Sequence, residues 1–160
     1  MEKLIIKMVD KHYETEKDIR NVIKYIAGEG KNENTQIILR KKGKGVSKNA
    51  PKAASQIIAV QKALGKDHDR RLYHMIVSFP KDMHNKKLIK NAAEDIADML
   101  FETYQVYYGI HISKEHWHIH FAINAVSYMT KKKWHQNADE LAEMKIRIHD
   151  LVAARYRDDN

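Results

Sequence analysis

Four histidines fall within ten residues of this chain, in the stretch His111-Ile-Ser-Lys-Glu-His116-Trp-His118-Ile-His120-Phe-Ala-Ile-Asn124. From His116 onward, His116, His118, His120, Ala122 and Asn124 alternate with Trp117, Ile119, Phe121 and Ile123. Side chains two apart on a strand share a face. The pattern therefore predicts a strand with one apolar side in the core and an imidazole side on the opposite, accessible surface. His111 precedes a short Lys114-Glu115 turn, which puts it on a neighbouring strand. A turn that short joins antiparallel neighbours only, because parallel strands need a long crossover. The hairpin thus excludes an all-parallel sheet, although strands and helices alternate along the chain.

Around the hairpin the periodicity predicts a strand over 2–9 and a helix over 16–28. Ile19, Val22, Ile23 and Ile26 share one face of that helix, and Gly28 and Gly30 end it. A short strand is predicted over 36–40, followed by a Gly- and Lys-rich loop. A helix over 50–64 has Pro51 near its first turn. A strand over 72–79 is stopped by Pro80, and a helix covers 86–102. The hairpin strands occupy 104–113 and 116–126, and a last helix spans 137–156. The expected fold class is α+β: a two-layer sandwich of about five mainly antiparallel strands, with helices packed on one face and the other face open. No repeat or linker divides the chain, so its 160 residues read as one domain, 1–160.

Apolar runs such as Leu4-Ile5-Ile6 are too short to cross a bilayer, so no membrane insertion is expected. The absence of cysteine removes disulfides, thiolate nucleophiles and cysteine-based zinc sites, and fits a cytoplasmic location. A net charge of +8 favours an anionic partner. Basic residues concentrate in Lys31, Arg40, Lys41, Lys42, Lys44, Lys48 and Lys52, and again in Lys131-Lys132-Lys133. Such clusters are either solvated loops or phosphate-tracking surfaces.

Alternate strand residues stand about 7 Å apart, so two imidazoles on one strand can lean toward a single ion at roughly 2.0–2.3 Å. His111 can supply a third ligand from across the turn. Three ligands leave coordination positions open, which is the catalytic pattern. Imidazoles suit manganese, nickel, cobalt or zinc, whereas magnesium needs phosphate and water oxygens to complete its shell.

The hairpin resembles the His-hydrophobe-His motif of the relaxase (mobilisation nuclease) family of conjugative plasmids and integrative elements, within the HUH endonuclease superfamily. Arg20-Asn-Val-Ile-Lys-Tyr25-Ile-Ala-Gly-Glu-Gly-Lys31 resembles the family's first motif. Tyr73-His74-Met-Ile-Val-Ser78-Phe79 resembles the second. The resemblance implies Tyr25 as nucleophile and His111, His118 and His120 as metal ligands, with manganese or magnesium the favoured ion. It implies Ser78 at the DNA backbone, and His74 and His116 as supporting or proton-handling groups. Lys31, Arg40, Lys41, Lys42, Lys44, Lys131, Lys132, Lys133, Trp134 and Asn124 are the expected DNA contacts. The implied partners are single-stranded DNA at an origin of transfer and accessory relaxosome proteins. One departure concerns the turn: relatives often carry aspartates there, where this chain has Ser113 and Glu115.

A phenol with an ordinary pKa near 10 is a weak nucleophile at neutral pH, and a metal field or a nearby histidine can activate it. Read from its helix alone, Tyr25 is a core or partly exposed packing residue, and Tyr13 and His12 are rival nucleophiles. A rolling-circle replication initiator uses the same hairpin with a later tyrosine, for which Tyr128 and Tyr156 are the candidates. A non-catalytic DNA-binding module, or a metallohydrolase without a tyrosine step, could be built on a similar hairpin.

Overall fold

The period-2 segments of the chain pair into one sheet. The computed structural model describes residues 3–29 and 36–159. Within them the strands are β1 (Ile5–Met8), β2 (Ile37–Lys44), β3 (Leu72–Phe79), β4 (Val106–Ile112) and β5 (Trp117–Asn124). Their spatial order is β1-β3-β5-β4-β2, and every neighbouring pair is antiparallel. Four helices accompany them: α1 (Glu16–Ile26), α2 (Ala50–Ala63), α3 (Lys86–Phe101) and α4 (Ala138–Asp159). The α+β class and the five-stranded antiparallel sheet are those the sequence predicts.

Local chemistry sets the helix starts. Thr15 and Asp18 form a reciprocal capping box at the head of α1, and Asn49 and Asn85 accept backbone N–H groups at the heads of α2 and α3. The β4–β5 turn is closed by Ser113 N donating to His116 O at 2.8 Å. It places His111 opposite His118 and Ile112 opposite Trp117.

The layering differs from the expected one-faced sandwich. On one side, Val77, Tyr108, Ile110, Ile119, Phe121 and Ile123 pack under Leu88, Ile89, Ala92 and Ile96 of α3, with Ile148 and Val152 of α4. On the other, Ile19, Ile23 and Ile26 of α1 and Ala53, Ala54 and Ile57 of α2 close over Leu72, Tyr107 and Ala122. Each fully buried aliphatic side chain stabilises the fold by about 1.5–3 kcal/mol, so neither side is a bare sheet face. The reason lies along the strands: the face that carries His118 and His120 continues into Ala122, and its neighbours there are apolar. α1 and α2 cover that end. Half-buried His118 and Ser78 lie nearer the other end, beside exposed Ile5.

β2 also departs from expectation. The segment predicted as a Gly- and Lys-rich loop continues the strand, with Lys41, Lys42 and Lys44 opposite Gly109, Tyr108 and Val106 of β4.

Candidate active site

Three neighbouring strands bring the imidazoles together. His120 of β5 pairs with Gly109 of β4 on one side and with Ile76 of β3 on the other, so it sits at the centre of the row. Its ring centroid lies 4.4 Å from that of His111, 5.2 Å from His74 and 5.9 Å from His118. Exposed His116 stands at the hairpin end, its ring 5.5 Å from that of His118.

The C-terminal end of α1 descends onto this row. His111 Nε2 donates to the carbonyl of Ile26 at 2.8 Å, and the Gln36 side-chain amide lies 3.1 Å from its Nδ1. The approach is possible because position 109 is glycine, where an added Cβ would stand 2.0 Å from Ile26 O. Tyr25, one residue before Ile26, is thereby held with its ring 5.5 Å from His111 and 5.4 Å from His120. At 37 % it is the most exposed tyrosine among the described residues.

A second contact line runs beneath. Tyr13 Oη is 3.1 Å from His74 Nδ1, and His74 Nε2 is 2.9 Å from His120 Nδ1. His120 Nε2 is buried and has no hydrogen-bond partner among the described residues. Burial, reinforced by neighbouring His111, pushes the His74 pKa down to about 4. Burial together with His111, His74 and His118 pushes His120 down to about 2. Burial, with His116 and His111, also lowers His118. These rings are neutral at physiological pH, the form in which imidazole ligates a metal. The row opens into a cleft of about 490 Å³ bordered by Lys7, Lys11, Tyr13, Tyr25, His74 and His120.

A family model for the MobA/VirD2-like relaxase nuclease domain matches residues 25–156. The chain belongs to the relaxase family. Membership makes it a DNA-nicking, DNA-binding nuclease domain, and the match begins at Tyr25. No curated protein and no solved structure matches the chain significantly. Among the described residues of this relaxase, no helix is long and apolar enough to cross a membrane.

The donor set of the relaxase suits a divalent ion. The orphaned His120 Nε2 is a nitrogen that an ion could satisfy, and rings sharing an ion at roughly 2.1 Å stand about 5 Å apart between centroids, comparable to the spacings here. The set is gathered without being closed: as the side chains lie, no three His, Asp or Glu among the described residues converge on one point. His111 Nε2 is turned to Ile26 O.

The expected DNA contacts divide between several places. Ser78 lies opposite His118 on the histidine side. Lys41 is opposite Gly109 on that side and pairs with Glu29 at 3.4 Å. Arg40, Lys42 and Lys44 alternate to the α3 side. There Lys42 meets Glu94 at 2.6 Å, and Lys44 meets Glu94 at 2.7 Å and Asp98 at 3.0 Å. Lys131 and Lys132 are exposed beyond the far end of β5 from His118, and Lys133 Nζ caps His68 O at 2.7 Å. Trp134 is a core residue rather than a base-stacking platform, 7 % exposed between Tyr73 and Tyr104. Asn124 cannot reach DNA: it is fully buried and bonded to Gln61, Gln105 and Val126 N. Lys31 lies outside the described residues. Lys7 and Lys11, which border the cleft, are absent from the sequence-based set. Lys7 shares strand phase with Ile5, a signal that was available but indistinct in so lysine-rich a chain.

Proposed function

We propose that this relaxase nicks one strand of single-stranded DNA at an origin of transfer by attack of Tyr25, for conjugative mobilisation. The observation that carries the reading is the position of Tyr25: an exposed phenol ring beside both His111 and His120 at the mouth of a lysine-bordered cleft. The rival tyrosines are less available, although Tyr13 borders the same cleft. Tyr13 is 5 % exposed. Tyr128 hydrogen-bonds to Phe101 O, and Tyr156 packs against the α3-side core. That disposition disfavours the late tyrosine of a replication initiator.

His111, His118 and His120 would hold a divalent ion, of which manganese or magnesium suits a phosphate substrate. When bound, the ion offsets charge on the non-bridging oxygens of the scissile phosphate. Lys7 and Lys11 border the path of the strand, and Ser78 meets its backbone. The Tyr25 oxygen forms a bond to phosphorus while the bond from phosphorus to the 3′ oxygen breaks. The phenol loses one proton and the leaving 3′ oxygen gains one, with solvent-facing His116 as the shuttle. The product is a 5′-phosphotyrosine, and a free 3′-hydroxyl can reverse the step and rejoin the strand.

The test is incubation of the protein with pooled single-stranded oligonucleotides from candidate transfer origins and manganese. A protein–DNA adduct that survives denaturation is expected, and Tyr25→Phe should lose both adduct and cleavage. Cleavage that persists in Tyr25→Phe without an adduct would assign the hydrolysis to water. An adduct that persists would move the nucleophile to another tyrosine.

A further inference from the structure

His120 presents a proton-placement problem that its surroundings solve. Its Nδ1 meets His74 Nε2 at 2.9 Å, and its Nε2 is buried with no partner among the described residues. A neutral imidazole carries one N–H, on either nitrogen. If Nε2 held it, a buried donor would go unanswered, at a cost of roughly 1–3 kcal/mol. If Nδ1 holds it, that N–H donates to His74 Nε2, and the orphan is a lone pair, which a cation can satisfy. His74 must then carry its own hydrogen on Nδ1 and donate to Tyr13 Oη, 3.1 Å away. The phenol accepts that bond and keeps its own hydrogen free to rotate toward the cleft it borders.

Tyr13 is well placed for this because its backbone is part of the same framework. It bridges to Leu72 of β3, two residues before His74, and its carbonyl accepts Arg71 N at 2.7 Å. One strand therefore fixes both members of the pair. Among the described residues, no carboxylate hydrogen-bonds within this chain of contacts. In the turn, Ser113 Oγ is bonded to the His116 backbone, and Glu115 is exposed.

We propose that Tyr13 is a positioning residue, which through His74 places the His120 proton on Nδ1 and leaves the Nε2 lone pair facing the site. The proposal rests on the ligand role given to His120 above. Removing the Tyr13 oxygen takes away the acceptor that biases His74. Both imidazoles can then reverse, and a share of His120 carries its hydrogen on Nε2, where it blocks coordination.

Two measurements test this. Long-range ¹⁵N–¹H NMR of the metal-free, ¹⁵N-labelled protein at neutral pH reports which nitrogen of each ring is protonated. Wild type should show Nδ1–H at both His74 and His120, and Tyr13→Phe should show mixed tautomers at both. Nε2–H at His120 in wild type would overturn the proposal, and this readout needs no metal. Titration with manganese alone, followed by electron paramagnetic resonance, gives the affinity. Loss of an outer partner costs a metal site roughly 10–100-fold. Tyr13→Phe and His74→Leu should each weaken binding by that order, and the double variant no further, since both break one chain. Equal affinity in wild type and folded Tyr13→Phe, or additive losses in the double variant, would also overturn it. A wild-type protein that shows the expected tautomers yet binds no manganese would sink the metal reading instead.

Discussion

Gly109 is the residue on which the meeting of α1 with the histidine row depends. A methyl group there would stand 2.0 Å from Ile26 O, which belongs to backbone and cannot swing aside. Gly109→Ala should cost about 1–3 kcal/mol of stability by overpacking, measured by urea unfolding. It should also displace Tyr25 and abolish the covalent adduct. Nothing in the sequence marks this glycine, because the atom it accommodates lies on a helix more than eighty residues earlier. Asn124 teaches the converse. Its phase with the histidines predicts a DNA contact, yet phase gives the side of a strand and not the position along it. At its end of β5 the same face is sealed by α1 and α2. Asn124→Ala should therefore destabilise the protein by roughly 1–3 kcal/mol through the unpaired Gln61 and Gln105 amides, read as a lowered thermal midpoint.

Between elements, the contact of β2 with α3 converts apparent DNA-binding charge into structural charge. Burial tends to raise the Glu94 pKa, but the hydrogen bonds from Lys42 and Lys44 outweigh it and hold the carboxyl below its ordinary 4.5. A carboxyl depressed in the folded state adds stability that is complete above its unfolded pKa and fades as pH falls through the folded value. Glu94→Gln should lower stability by about 1 kcal/mol at neutral pH. Below pH 4.5 the difference from wild type should shrink, which urea melts at several pH values would follow. Cleavage should be unchanged, since this face is opposite the histidines. The hairpin itself was legible because apolar and imidazole positions alternate without a break from Trp117 to Phe121. β2 was only half legible. Its Lys41–Lys44 half has the composition of a loop, and pairing with β4 makes it a strand. The acids that neutralise it come some fifty residues later.

Across the whole molecule, charge and chemistry are segregated by the sheet. The cleft beside His120 has Lys7 and Lys11, whereas the richer lysine clusters lie behind the sheet or beyond the far end of β5. Each phosphate contact removed should flatten the slope of log affinity against log salt by roughly 0.7 for a single strand. Lys7→Ala with Lys11→Ala should flatten it measurably in fluorescence anisotropy, and Lys131→Ala with Lys132→Ala should leave it unchanged. The opposite result would route the strand past the β5 end. The α+β class followed from the hairpin, but the second helical layer did not, because the Ala53, Ala54 and Ala122 positions that let α2 approach carry no strong pattern. The strand order has one more effect. His74, His111, His118 and His120 hang from β3, β4 and β5, the three inner strands, and the two edges of the sheet fall to β1 and β2. Backbone amides of inner strands are the last to trade hydrogen for deuterium, since only global opening frees them. The imidazole row should thus keep its arrangement through any partial melting that peels away an outer strand, and vanish only when the entire domain comes apart.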